Sequence, residues 1–376
     1  MECDTLESLD KSSEFAARMR KERWDKLKEH QEFNRMKAFD SNRFLATDIL
    51  TEEDIKGLCS RIKRKKHAPR DDLIKLCNAF IQSLENISTF IKVTGAINVI
   101  IKEFTGCDRR QQLLAAQCLC NLSLGDEVCC TKIATFAGSY LMIYIVTSTD
   151  ISLTKISIWI SQNIAASGPK ALSILMSQEL LKNTLNVLNT CVELEIDALQ
   201  LLDIIIDGTK HESVRELDST QLDEIKLSLW SIMKKRYDVP IALQVFYKIT
   251  MTTDAWIFNQ EETTDLVIKM TTNLIEGVEP ETNNKQIMHF SIKILMKSFK
   301  HNHQNKIKCV EHLMENNLKL SVLINSIIAA NPKFYGLLSE LMHFTSLLYV
   351  DQHPAIAKYF LYDSISDIKV PLMFEF

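Results

Sequence analysis

Turn-forming residues are scarce in this sequence of 376 residues, which contains nine glycines and seven prolines. A β-sandwich or β-barrel needs a turn about every 8–12 residues, so the scarcity excludes these all-β classes and favours helices. The 46% hydrophobic and 24% charged residues also exclude a disordered or collagen-like chain. The composition therefore predicts a folded, mainly helical protein.

A charge excess of one sign is also missing. Lys and Arg total 44 against 48 Asp and Glu, for a net charge of -4, so no global field draws the chain to nucleic acid or to an anionic membrane. The longest apolar stretch, Tyr140–Val146, is far shorter than the ~20 residues of a membrane span, and residues 1–10 contain no apolar signal core. We expect no nucleic acid and no membrane as partners.

Motifs for metal, cofactor or catalytic chemistry are absent from the sequence. The ten cysteines are scattered, and several lie in apolar helical stretches, which is typical of reduced, buried thiols in an intracellular protein. Two sets of metal-ligand residue types lack the CxxC or HExxH spacing of zinc sites: His301 and His303 with Cys309, and the cysteines at 118, 120, 129 and 130. Phosphate-binding glycine loops and a GxSxG motif are also missing, so we expect no metal, no cofactor and no enzymatic activity.

Residues 1–44 are assigned to a basic helical arm. Within them, residues 14–37 (EFAARMRKERWDKLKEHQEFNRMK) contain neither Gly nor Pro, and Ser12 and Ser13 can cap the start of a helix. The apolar residues of this stretch form no continuous stripe, so such a helix cannot bury much of itself. We expect it to order against a partner.

Residues 45–70 are assigned to a basic linker, because Pro69 and the density of charge argue against a long helix there. Its core is the run Lys63, Arg64, Lys65 and Lys66. Two interpretations stay open for this run: an ordinary solvated cluster of charges, or a nuclear localisation signal.

From residue 71 to residue 376 the sequence reads as a series of apolar helices with an internal repeat. The segments containing LLAAQCLCNLSLG and KISIWISQNIAASG superpose on Asn121 and Asn163, 42 residues apart, and Gly95 precedes Gly138 by a similar distance. A period of ~40–47 residues is that of HEAT and armadillo repeats. We predict an all-α, armadillo/HEAT-like, right-handed superhelical solenoid of about seven repeats, with the C-terminal ones degenerate.

Trp159 and Asn163 form the sharpest local feature, an i, i+4 pair that shares one helix face. A buried amide without a partner costs roughly 1–3 kcal/mol, so Asn163 needs a hydrogen bond. In one interpretation, Trp159 is core and Asn163 bonds a neighbouring backbone group. In the other, both face a groove where the amide grips an extended peptide and the indole flanks a bound Lys or Arg.

The Trp-x-x-x-Asn arrangement of SIWISQNIAASG, preceded one repeat earlier by AAQCLCNLSLG, resembles the armadillo repeats of importin alpha. Residues 14–40 are similar in position and charge to the importin-beta-binding domain of that family. A closer resemblance is to the importin-alpha-related family called transmembrane and coiled-coil domain-containing protein 6. Three stretches carry it: LLAAQCLCNLSLG, AGSYLMIYIVTSTD and SELMHFTSLLYVDQHPAIAKYFL. The resemblance covers essentially the whole chain.

The resemblance implies a concave groove that binds basic localisation signals, although this sequence keeps only one complete pair. Gln117 occupies the Trp position before Asn121, and Leu199 and Asp203 replace the pair in the third repeat. Such a groove should bind basic peptides less tightly, or in another register, than an importin alpha. Glu195, Leu199 and Asp203 would place two carboxylates along it, unless they form an ordinary solvated helix face.

The resemblance further implies that the arm contacts an importin-beta-type carrier through Arg18, Arg20, Lys21, Arg23, Lys26 and Lys28. The run at 63–66 could then fold back into the groove and inhibit it. The sequence thus predicts a nuclear import adaptor of the cytoplasm and nucleus, which binds cargo proteins with basic segments. The alternative is an armadillo scaffold that assembles a protein complex without transport.

Overall fold

The computed structural model describes residues 49–211, 214–235, 239–252, 260–276, 282–330 and 335–363. Every regular element in these ranges is a helix, which confirms the prediction of an all-α repeat solenoid. The chain divides into two compact units, residues 1–221 and 222–376. The predicted arm, residues 1–44, lies outside the described residues.

The first unit contains ten α-helices within the described ranges, counted up to Gly208. In chain order they are α1 (Glu52–Lys65), α2 (Arg70–Gln82), α3 (Leu84–Lys92), α4 (Ala96–Phe104), α5 (Arg109–Leu122), α6 (Glu127–Thr147), α7 (Ile151–Ser167), α8 (Pro169–Met176), α9 (Leu180–Thr190) and α10 (Glu195–Gly208). A short 3₁₀ turn, Val192–Leu194, precedes α10.

These helices repeat as one long helix preceded by two shorter ones. The long helices α2, α5, α7 and α10 pack one on the next and form one layer. The shorter helices form the other layer, in which α3 is paired with α4, and α8 with α9. In the middle repeat a single helix, α6, replaces the two shorter ones. Side chains of Asp108, Asp126 and Asp150 accept N–H bonds at the starts of α5, α6 and α7, which sets the repeat boundaries.

Helix α1 differs from the predicted linker over residues 45–70. It runs through Glu52–Lys65 and begins with a capping box in which the side chain of Thr51 accepts from the backbone of Asp54. Ile55, Leu58 and Ile62 are buried against α3 and α4, so this helix belongs to the solenoid. Three basic residues, Lys63, Arg64 and Lys65, lie in its last turn, where cations interact favourably with the helix dipole.

The second unit continues with long helices that pack in the same way. Its helices are α11 (Ser219–Lys235), which begins three residues before the unit boundary, α12 (Pro240–Thr252), α13 (Gln260–Glu276), α14 (Thr282–His301), α15 (Gln304–Glu315), α16 (Leu320–Ala330), α17 (Tyr335–Tyr349) and α18 (Pro354–Tyr362). Helices α12, α14 and α17 stack in order, with α13, α15 and α18 beside them. Buried Asp363 caps α16 by accepting the backbone N–H of Leu320 at 2.7 Å.

One helix of the described residues, α6, is long and apolar enough to cross a membrane by length and composition alone. It has 21 residues and a mean hydropathy of 1.4, and half of its apolar window is buried inside the protein. A second candidate arises only if the sharply bent pair α3 and α4, with 99° between them, is counted as one span. Helix α6 is thus longer than the apolar stretch Tyr140–Val146, since it begins at Glu127.

Candidate functional site: the surface of the long helices

The two asparagines of the repeat lie in the interior and connect successive long helices. The side-chain amide of Asn121, on α5, donates to the backbone oxygen of Cys77, on α2, at 3.0 Å. That of Asn163, on α7, donates to Ser123 Oγ, just after α5, at 2.9 Å. Both asparagines are 5% exposed. The amides therefore have partners within the solenoid, as the first of the two interpretations requires.

Trp159 is in a different position from Asn163, because its ring is half-buried at the surface of α7. Its indole N–H donates to Asp197 Oδ1, at the start of α10, with a distance of 2.7 Å. The side chain of Gln162 also donates to the backbone oxygen of Asp197, at 2.7 Å. Trp159 and Gln162 of α7 thus hold Asp197 in place. Trp159 and Asp197 together present an indole face beside a carboxylate that is only 13% exposed.

A lysine ammonium lies on this indole and carboxylate. Lys155 Nζ is 5.2 Å from the centroid of the Trp159 ring and 3.7 Å from Asp197 Oδ2. Both distances fall within the range of cation–π contacts and ion pairs. We call Trp159 and Asp197 the indole–carboxylate site, which Lys155 occupies. The ammonium group held at this site belongs to the chain itself.

The predicted row of Glu195, Leu199 and Asp203 points inward at its first two positions. Leu199 is fully buried and Glu195 is 9% exposed, whereas Asp203 is half-buried. Asp197, two positions on from Glu195 and therefore on another face of α10, is the carboxylate that reaches Trp159. The two carboxylates do not form an open row along a groove.

Other predicted residues lie apart from the indole–carboxylate site. Gln117 is exposed on α5. Lys63, Arg64 and Lys65 form the exposed last turn of α1, and Lys66 ends it with a left-handed backbone conformation (φ 51°). The six basic residues proposed to contact the carrier, Arg18, Arg20, Lys21, Arg23, Lys26 and Lys28, lie outside the described residues.

Sequence reasoning missed Asp197 and Asn78. Asp197 follows Trp159 by 38 residues, whereas the repeat period is 42 residues. An alignment of the repeats on Asn121 and Asn163 therefore does not place Asp197 at the position that corresponds to Trp159. Asn78 precedes Asn121 by 43 residues and continues the asparagine positions to α2, where it is half-buried. The spacing of 43 residues is a signal that could have found it.

An arrangement of the same chemistry occurs in the second unit. Lys293 Nζ, on α14, lies 5.3 Å from the centroid of the Tyr247 ring, on α12, and 3.5 Å from Glu340 Oε1, on α17. Lys293 is 23% exposed, compared with 42% for Lys155. In both units a lysine of a long helix is thus held between an aromatic ring and a carboxylate.

The metal-ligand residue types and the thiols of the described ranges can be placed in the structure. Within the described ranges, His, Cys, Asp and Glu form no group of three or more that could hold a metal ion. All nine cysteines of these ranges are free. Cys118 is fully buried, and burial raises the pKa of its thiol well above the ordinary value.

Comparisons with known proteins bear on the fold. No family model matches the chain, and no curated protein matches it. A crystal structure of an engineered protein is similar with a TM-score of 0.51 and 15% identity, over 85% of this chain and 81% of that one. A designed armadillo repeat protein in complex with the peptide (KR)4 gives a TM-score of 0.42 and 14% identity, over 70% of this chain and 98% of that one. At 15% identity, the likeness to the engineered protein concerns the fold alone.

Proposed function

We propose that this chain is a non-catalytic armadillo adaptor that binds a basic segment of a cargo protein at the indole–carboxylate site. Its N-terminal arm would bind an importin-beta-type carrier, which makes the chain a nuclear import adaptor. One observation carries the proposal: Trp159 and Asp197 already hold an ammonium group, at 5.2 Å and 3.7 Å. A surface that holds the side chain of Lys155 has the chemistry to hold a Lys or Arg of another protein.

The energetics of the site favour such a ligand. A cation over an indole contributes about 0.5–2 kcal/mol, more when water is excluded. Asp197 is 13% exposed, so its attraction to a cation is less screened than that of a surface carboxylate. Asp203 on the same helix adds negative charge, and so does Asp207, although Asp207 pairs with Lys210 at 2.8 Å. These carboxylates would steer a basic segment toward α10.

The peptide backbone would be held differently from the mode that the importin alpha resemblance implies. The amides of Asn121 and Asn163 are already used between repeats and are 5% exposed. Exposed amides on the long helices, those of Gln117 on α5 and Gln200 on α10, are the available partners for an extended chain. We therefore expect a modest affinity dominated by basic side chains, with strong dependence on salt.

The cargo half is tested by fluorescence polarisation of a labelled peptide with four consecutive Lys and Arg residues, titrated with the full chain. Trp159→Ala removes the ring and the bond to Asp197, and should weaken binding about 2- to 30-fold. Tyr140→Ala is the matched control, since Tyr140 is an exposed aromatic residue (43%) on another helix. Equal affinity of the two variants would overturn this half of the proposal.

The carrier half is tested by a pull-down with purified importin beta. Reversing Arg18, Arg20 and Arg23 to Glu should abolish capture, whereas reversing Lys63, Arg64 and Lys65 changes the net charge equally and should not. Capture that survives the first triple change would contradict the carrier role. Peptide binding without carrier binding would identify the alternative, an armadillo scaffold that takes no part in transport.

A further inference from the structure

We propose that Lys155 is a built-in competitor at the indole–carboxylate site, which a Lys or Arg of the cargo must displace before it can bind. This inference rests on the proposed function, because it concerns access to the same site. It assigns to Lys155 a role that neither repeat spacing nor the aromatic and acidic residues alone predict.

The position of Lys155 follows from helix geometry. Lys155 and Trp159 are four residues apart on α7, so the side chain lies along the same face as the ring. Its ammonium then reaches both the ring centroid at 5.2 Å and Asp197 Oδ2 at 3.7 Å. An incoming ammonium or guanidinium would need the same ring face and the same oxygen.

The site keeps its shape when Lys155 leaves. Asp197 is held through its other oxygen by the indole N–H of Trp159 at 2.7 Å, and through its backbone by Gln162 at 2.7 Å. Neither bond involves Lys155. Departure of the lysine side chain therefore vacates a formed receptor and does not collapse it.

Lys155 is also exposed enough to leave. Its side chain is 42% exposed, and its ion pair of 3.7 Å is longer than a charge-assisted hydrogen bond. Lys293 of the second unit provides a contrast within the chain: it is 23% exposed and spans from Tyr247 on α12 to Glu340 on α17. Lys293 connects its helix to two neighbouring helices. Lys155 contacts a second helix only through Asp197, so its rotation into solvent breaks a single contact between helices.

Competition has a consequence for the ligand. Exchange of one ammonium for another at the site contributes little net affinity, so a single Lys should bind poorly. A segment with several consecutive basic residues should bind more tightly, because it also contacts the neighbouring carboxylates of α10 and presents several cations close together. The competitor thus raises the threshold of basic charge that a cargo must carry.

The test measures the same labelled basic peptide against the full chain and three variants. Lys155→Met removes the competing charge, keeps the aliphatic length, and should tighten binding roughly 3- to 30-fold, as expected for the loss of one cation–π contact and ion pair. Lys155→Arg retains a cation and should bind like the wild type. Lys182→Met removes one charge from α9, where Lys182 pairs with Glu179, and should change affinity less than twofold.

The outcomes separate the two proposals. If the wild type binds through Trp159 but Lys155→Met binds equally or more weakly, the competitor role is wrong and the cargo site stands. If tightening is equal in Lys155→Met and Lys182→Met, the effect is general electrostatics, and the competitor role again fails. If neither the wild type nor Lys155→Met binds in a Trp159-dependent way, the cargo site itself is wrong.

Discussion

The side chain of Asn163 donates to Ser123 Oγ at 2.9 Å, across 40 residues of sequence and from one repeat to the next. Asn121 makes the equivalent connection one repeat earlier, to the backbone of Cys77 at 3.0 Å. These bonds fix the height of α5 on α2 and of α7 on α5. Asn121 and Asn163 therefore stabilise the stacking of repeats.

Replacement of Asn163 by Ala should lower the free energy of unfolding by about 1–3 kcal/mol, because it removes a buried hydrogen bond and leaves a small void. Urea unfolding followed by circular dichroism measures the change. Gln117→Ala on α5 is the control, since that side chain is exposed and should cost less than about 0.5 kcal/mol. Equal costs for the two variants would contradict a stabilising role for Asn163.

The repeat was predictable because its signals are local and repeated. Helix caps, apolar periodicity and the 42-residue spacing of Asn121 and Asn163 need no knowledge of packing. The partner of each polar side chain was not predictable in the same way. Whether Trp159 meets Asp197 or Glu195 depends on the rotation of α10 against α7, which the sequence of either helix alone does not specify.

Helix α1 was missed for a different reason, since the basic run at its end dominated the sequence pattern. The apolar residues Ile55, Leu58 and Ile62, spaced three and four apart, are the signal of an amphipathic helix. Those three side chains are 0%, 5% and 0% exposed, so packing against the next repeat outweighs the repulsion among the terminal lysines.

Truncation after α1 should lower stability more than truncation before it. A chain that starts at residue 49 keeps the helix, whereas one that starts at residue 67 exposes the faces of α3 and α4 that it covers. Ile62→Ala in the full chain should cost about 2–5 kcal/mol, and Lys65→Ala should be close to neutral. Thermal unfolding of the four proteins checks this. A chain from residue 67 that unfolds like the one from residue 49 would contradict the assignment of α1 to the solenoid.

Two glycines offer a matched pair of substitutions with opposite signs. A Cβ at Gly125 would lie 2.7 Å from Ile87 Cγ2 and 2.9 Å from Cys129 Cβ, so Gly125→Ala should destabilise the first unit by about 1–3 kcal/mol. Gly57 lies within α1 with no atom within 4 Å of the same position. Gly57→Ala should stabilise by about 0.5–1 kcal/mol through helix propensity. The urea midpoints of the two variants measure both effects. Stabilisation by Gly125→Ala would show that the contact between α3 and α6 is looser than in the structure.

Cys309 should be unreactive toward thiol reagents in the folded protein. It is fully buried on α15, and burial raises the pKa of its thiol to about 12. At pH 8 only about one thiol in 10⁴ would then be thiolate, the reactive form.

Because its pKa is raised on folding, Cys309 keeps its proton in the folded state while the unfolded chain loses it first. Its contribution to stability is therefore complete below about pH 9 and is lost as the pH rises toward 12.

Alkylation with iodoacetamide at pH 8, read by mass spectrometry of tryptic peptides, measures this protection. Cys107 is exposed and serves as the internal control, so its peptide should be modified within minutes while that of Cys309 stays unmodified. Adding denaturing urea should remove the difference, because both thiols are then solvated. Equal labelling without urea would mean that α15 opens readily from α13 and α18, in conflict with the packing of the second unit.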